Sequence, residues 1–77
     1  MPSNGWRTIA HRGEIPGVDK VNRRTDGLVT VWHEIGQRGD DARWRVTSIA
    51  TDGAIRQATG RSKRATRNTL RAASAAR

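Results

Sequence analysis

Two Asp-Gly dipeptides, Asp26-Gly27 and Asp52-Gly53, constrain the fold of this chain more than any other feature. Each lies near β-branched residues, and Asp-Gly in that setting is the strongest short-range signal for a β-hairpin, because a type I′ turn requires φ > 0 at both central positions. The stretch 36–42 (GQRGDDA) predicts an exposed loop between the two hairpins. We therefore predict strands at about 18–25, 28–35, 43–50 and 54–59, with a weaker one at 6–12.

The C-terminal segment predicts an amphipathic helix. Ser62 is a suitable N-cap, and residues 63–76 contain no Gly, Pro, Val or Ile. At 100° per residue one side of this helix collects small and apolar residues (Ala65, Thr69, Leu70, Ala72, Ala73 and Ala76), and the other collects cations (Lys63, Arg64, Arg67 and Arg71). The predicted fold is α+β, a small antiparallel sheet of three to five strands packed against one C-terminal amphipathic helix.

The length and composition limit the number of domains, the kinds of site and the cellular locations that this chain can have. A chain of 77 residues forms a single domain, 1–77, in which a Gly- and Pro-interrupted segment (1–17) precedes the sheet (18–59) and the helix (62–76). It has no cysteine, which excludes disulfides and thiolate metal sites. It also has no long apolar run and no charged-then-apolar leader, so we expect neither a membrane span nor a signal peptide, and a cytoplasmic location.

The second hairpin predicts one apolar and one basic face. A two-residue turn at Asp52-Gly53 would pair Ala50 with Ile55 and Ser48 with Gln57. The core face would then hold Trp44, Val46, Ala50 and Ile55, and the solvated face Arg43, Arg45, Thr47 and Arg56. The strand 28–35 is apolar on both sides, so it is either central or buries its second face against the N-terminal segment or another subunit.

The charge of the chain is unevenly distributed. Lys and Arg number 15 against 7 Asp and Glu, for a net charge of +8. Residues 56–77 contain seven of the cations and none of the acids, so we expect these cations to lack neutralising neighbours. Such asymmetry indicates an anionic partner, and nucleic acid is favoured over a membrane surface. The alternative is a basic tail that only makes the protein more soluble. The candidate contact residues are Lys63, Arg64, Arg67, Arg71, Arg61, Arg56, Arg43 and Arg45.

Lys63 and Arg64 stand out among these cations because they lie in the first turn of the predicted helix. The helix dipole disfavours cations there, whereas two cations beside free N–H groups form a phosphate pocket. The alternative is an unoptimised surface.

No catalytic or metal-binding pattern is present in the sequence. His11 and His33 are far apart, and a site of His33 with Asp40 or Asp41 is less favoured than a histidine on a sheet face. Gly60-Arg61-Ser62-Lys63 lacks the spacing of a P-loop. We predict no enzyme activity, no catalytic residue, no metal and no cofactor.

The three tryptophans, Trp6, Trp32 and Trp44, are the only aromatic residues. Each can stack on a base or anchor the core. We favour the core for Trp32 and Trp44, because a small domain without Phe or Tyr needs its large side chains inside, and leave Trp6 open.

The segments VTVWHEI, RWRVTSIATDGAIRQATG and SKRATRNTLRAA resemble, in their order, small three-strand-plus-helix DNA-binding domains. These include the ethylene-response-factor-type domains of plants and the arm-binding domains of phage-type integrases. The resemblance covers about residues 28–74 and implies that the sheet face opposite the helix, with Arg43, Arg45, Thr47 and Arg56, reads the major groove of DNA.

We therefore predict a small protein that binds double-stranded DNA through phosphates, with RNA as the second choice. Its cations are 13 Arg and 2 Lys, and with ten Ala and no Phe or Tyr this ratio is typical of a GC-rich genome such as that of an actinobacterium or its phage. The predicted role there is a regulatory or accessory factor. One alternative is a phage-type module that modulates a host protein through an acidic patch, with the strand 28–35 and Trp6 as interface, or a homodimer. Another is a structural component of a virion or ribosome.

Overall fold

The computed structural model describes residues 5–75 of the chain, with side chains described to residue 73. Five strands form one antiparallel sheet in which each strand pairs with its neighbours in the sequence. This confirms the predicted α+β class; residues 1–4 and the predicted helix position Ala76 lie outside the described residues. The elements are β1 (Trp6–Ala10), β2 (Lys20–Arg24), β3 (Val29–Glu34), β4 (Trp44–Ile49), β5 (Ile55–Gly60) and α1 (Lys63–Ala75).

Within residues 5–75, no helix has the length and apolar character needed to cross a membrane.

Both Asp-Gly dipeptides lie in three-residue loops of the same sequence, Thr-Asp-Gly. In the second loop the amide of Gly53 donates to the carbonyl of Ala50 at 2.9 Å, and the amide of Ala50 donates to the carbonyl of Ala54 at 2.9 Å. Gly53 has a φ of 89°, the left-handed conformation that such a loop requires at its third position. The first loop repeats this pattern around Gly27. The predicted two-residue turn at Asp52-Gly53 is therefore wrong.

The longer loop changes which side chains of β5 share a face with the core. Ser48 pairs with Arg56 and Ile49 with Ile55, whereas the predicted pairs were Ser48 with Gln57 and Ala50 with Ile55. A one-residue change of register moves every side chain of a strand to the other face. Ile55 therefore lies on the face away from the core, where it is 63% exposed, and Arg56 lies on the side of the sheet that carries Trp44. The prediction that Arg56 shares a face with Arg45 is wrong.

The core lies between α1 and the last strands of the sheet. Trp32, Trp44, Val46 and Ala58 form a buried cluster, and Leu70 of α1 packs against it. This confirms the core positions predicted for Trp32 and Trp44.

The side of the helix that faces the sheet matches the predicted inner stripe only in part, since Leu70 packs on the core as predicted and other members do not. Its most buried residue is Thr66, which is fully enclosed, whereas Thr69, Ala72 and Ala73 of the predicted inner stripe are exposed. Thr66 fits because it lies against Gly60, where an added Cβ would be 2.8 Å from the Thr66 nitrogen and 3.0 Å from its Cα. The absence of a side chain at Gly60 thus sets how closely α1 approaches β5.

Candidate nucleic-acid interface

The helix covers only part of one side of the sheet. It packs on β5 and β4, which leaves the same side of β1 and β2 uncovered. Between α1 and these strands lies an open space of about 1020 Å³, which we call the groove. Its lining includes Trp6, Arg7, Thr8, Lys20, Asn22, Arg24, Thr30, Trp32, Arg67, Leu70 and Arg71.

The groove is positively charged. Lys20 of β2 lies on one side, and Arg67 and Arg71 of α1 lie on the other. None of the three forms an ion pair within the described part of the chain, and no Asp or Glu of that part lines the groove. Three uncompensated cations around an open concave surface produce a local positive potential that attracts anions.

Arg24 also lines the groove, but its charge is compensated. Its guanidinium donates two hydrogen bonds to Asp26, from Nε to Oδ1 at 2.8 Å and from Nη2 to Oδ2 at 2.6 Å. These bonds, with the amide of Leu28 as a further donor, lower the pKa of Asp26 to about 2. The lowered pKa keeps Asp26 ionised, and so able to pair with Arg24, to a lower pH than an unpaired aspartate.

Trp6 and Trp32 occupy different environments in the groove. Trp32 is 4% exposed, and Arg67 lies over its ring at 5.6 Å from the centroid. Trp6, on the edge strand β1, is 38% exposed, with the Arg24 guanidinium 5.6 Å from its ring centroid. Trp6 is therefore an accessible aromatic surface, whereas Trp32 belongs to the core.

Polar groups between the two tryptophans add hydrogen-bonding capacity. The Thr8 hydroxyl donates to the Asn22 side-chain oxygen at 2.9 Å, which fixes the orientation of the amide. The Asn22 NH₂ group keeps both of its donors, since no bond from it is formed to any described residue.

The first turn of α1 does not present two free cations. Ser62 is the N-cap, as predicted, because its hydroxyl accepts the amide of Ala65 at 3.1 Å. The Lys63 ammonium, however, bonds to Asp19 at 2.8 Å and lies 4.6 Å from the centroid of Trp44. Asp19 is only 9% exposed, so this ion pair anchors α1 to the sheet. Arg64 is exposed.

Acids from distant parts of the sequence also pair with other predicted contact residues. Arg61 bonds to Asp41 at 2.7 Å, and Arg43 bonds to Glu34 at 2.8 Å. The expectation that the cations of 56–77 lack neutralising neighbours is therefore wrong for Lys63 and Arg61. It holds for Arg64, Arg67 and Arg71 within the described residues.

The opposite side of the sheet, which we call the open face, is a second basic surface. No described element packs over it, and Arg45 and Thr47 lie there as predicted, whereas Arg43 is held at the sheet end by Glu34. Arg7 and Arg23 also lie on this side of the sheet, and neither is among the predicted contact residues. Arg23, Ile9, Ile49 and Ile55 are exposed here, whereas Arg45 is half-buried. Arg7, on the edge strand β1, also lines the groove.

The structure thus separates the predicted contact residues into distinct places. It brings Arg67 and Arg71 together on the groove, with Arg64 near them on the helix surface. It adds Lys20, which sequence reasoning missed. The alternation of Lys20, Asn22 and Arg24 with Val21 and Arg23 indicated a polar strand face, but only the position of α1 shows that this face lines a groove.

No described cluster of three or more His, Asp or Glu side chains has the geometry of a metal site. No family model, curated protein or solved structure matches this chain. The resemblance to three-strand-plus-helix DNA-binding domains therefore stays a prediction.

Proposed function

We propose that this protein binds nucleic acid, with the phosphate backbone held along the groove by Lys20, Arg67 and Arg71. The observation that carries the proposal is that these three cations lack acidic partners among the described residues, although the chain forms ion pairs elsewhere. The guanidinium group supports this role, because its planar set of donors matches two phosphate oxygens at once. Arg64 lies on the adjacent exposed surface of α1 and extends the cationic track.

The groove is a better candidate for this role than the sheet face that the resemblance to three-strand-plus-helix DNA-binding domains implies. That interpretation needed Arg43, Arg45, Thr47 and Arg56 on one surface. Arg56 lies on the other side of the sheet, and Glu34 engages Arg43. A role as a regulatory factor of an actinobacterium or phage stays part of the proposal and has no separate support.

A second candidate function is binding of an acidic protein surface by the open face. The observation that favours it is the exposed pair Ile49 and Ile55, which lies in one cross-strand row with the exposed Arg23, since exposed apolar side chains beside charged ones are typical of protein interfaces.

The two candidate functions differ in the anionic group that is bound, which is phosphate in a nucleic acid and carboxylate in an acidic protein. We expect a labelled oligonucleotide to raise the fluorescence anisotropy signal with a Kd of about 10⁻⁶ to 10⁻⁴ M at physiological salt, the usual range for phosphate-driven binding. Poly-glutamate carries the same charge sign without phosphate oxygens or bases, and we expect at least roughly tenfold weaker competition from it. Equal competition by the two polymers would contradict nucleic-acid binding and support the acidic-protein candidate.

A further inference from the structure

We infer that the groove takes a single strand and that an unpaired base stacks on Trp6. This inference rests on the proposed phosphate binding and names the form of nucleic acid. It follows from two points: the Trp6 ring is accessible in a cationic groove, and the bases of a duplex are already stacked on each other and cannot stack on that ring.

Trp6 is held in a fixed position at the end of β1. The amide of Thr25 donates to the carbonyl of Gly5 at 3.0 Å, and Trp6 pairs with Arg24 across β1 and β2. Gly5 has a φ of 60°, and a side chain there would collide with Thr25. The backbone on both sides of Trp6 is thus defined, which lowers the ordering cost of binding at this ring.

The surroundings of the Trp6 ring suit a nucleobase. Arg24 lies over the ring, and its pairing with Asp26 holds the guanidinium in place. Asn22 is the next residue of β2 on the same side of the sheet and offers its amide donors to the edge of a base. Stacking platforms of single-strand binding proteins combine these elements: an aromatic face, a cationic track for the backbone and a few polar groups.

A duplex cannot use this site in the same way. Its bases are already stacked on each other and present only their edges in the grooves, so contact with the Trp6 ring would require unstacking. A duplex therefore gains only the phosphate contacts, whereas a single strand gains those contacts and the stacking. This difference predicts a preference for single strands of the same sequence.

The test uses the whole protein and three probes of equal phosphate number: a single-stranded DNA oligonucleotide, a duplex of half its length, and a strand of the full length with abasic sites. We expect the single strand to bind roughly ten- to a hundredfold more tightly than the abasic strand, with Trp6→Ala losing that advantage and Trp6→Phe recovering most of it. The single strand should also quench part of the tryptophan fluorescence, and this quenching should be lost in Trp6→Phe, because Trp32 and Trp44 are buried.

Each outcome separates the two proposals. Equal affinity for the intact and abasic strands, with binding retained, would overturn base stacking and leave phosphate binding standing. Binding of none of the probes would overturn the proposed function itself. A tighter complex with the duplex than with the single strand would overturn the inferred strand form. Circular dichroism of Trp6→Ala checks that a loss of affinity is not a loss of fold.

Discussion

Replacing Lys20, Arg67 and Arg71 together with glutamine is expected to weaken binding of a single-stranded oligonucleotide by about a hundredfold at 0.1 M salt. Each phosphate contact on a single strand releases about 0.7 of a counterion, so three lost contacts remove about two powers of ten at that salt concentration. Glutamine keeps most of the length and polarity of the side chains. Anisotropy titration of the variant against the wild type measures the change.

The matched control removes the same number of charges from positions that do not line the groove. This open-face variant combines Arg23→Gln and Arg45→Gln on the open face with Arg38→Gln in the exposed loop 36–42, so it lowers the net charge by the same amount. At 0.1 M salt the Debye length is about 10 Å, so charges on the far side of the sheet contribute little to binding in the groove. We expect roughly a fivefold loss or less for this variant. A larger loss in the open-face variant than in the groove variant would place the site on the open face.

Replacing Gly60 with alanine is expected to lower the free energy of unfolding by about 1–3 kcal/mol, the usual cost of inserting a methyl group into a closely packed contact. The new Cβ would be 2.8 Å from the backbone nitrogen of Thr66, which already donates to the Ser62 carbonyl at 2.9 Å. Backbone atoms within a helix cannot move aside as a flexible side chain can, so α1 must shift away from β5.

Urea unfolding followed by tryptophan fluorescence measures this effect, since Trp32 and Trp44 lie under the helix. Thr59→Ala serves as the control, because Thr59 is the exposed neighbour of Gly60 in β5 and its replacement should cost less than about 1 kcal/mol. An unchanged unfolding free energy for Gly60→Ala would show that the contact between Gly60 and Thr66 does not determine the helix position.

The strands could be predicted from the sequence because each is bounded by local turn signals. The register could not, because an Asp-Gly dipeptide does not by itself give the length of its loop. In both hairpins the preceding threonine belongs to the loop, and this one residue decides whether Ile55 or Arg56 faces the core. Local signals place the turn, but the face of each strand depends on an exact residue count.

The helix was predictable in its extent but only in part in its orientation. The apolar side of 63–75 consists mostly of Ala and Thr, and such small side chains indicate the packed side of the helix only approximately. The structure selects Thr66 because it fits beside Gly60, and this contact joins residues of two different elements. The pairing of Lys63 with Asp19 also cannot be predicted from local sequence patterns, because the two residues are 44 positions apart.

The candidate site was predictable in part. The charge asymmetry identified Arg67 and Arg71, which line the groove. Lys20 and Trp6 join them only because α1 leaves β1 and β2 uncovered, and that incomplete coverage depends on the tertiary packing. Composition alone therefore indicated the charge of the partner, whereas the shape of the surface that receives it required the fold.

The salt dependence of wild-type binding is the most direct measurement of phosphate contact in the groove. Under the proposal, Lys20, Arg67, Arg71 and the adjacent Arg64 contact three or four phosphates of a single strand, so log K should fall against log salt with a slope of about −2 to −3. In the variant with Lys20, Arg67 and Arg71 replaced by glutamine, the slope should be less negative by about 2. The open-face variant should keep the slope of the wild type. A wild-type slope near zero, with the oligonucleotide still bound at high salt, would contradict binding through phosphates.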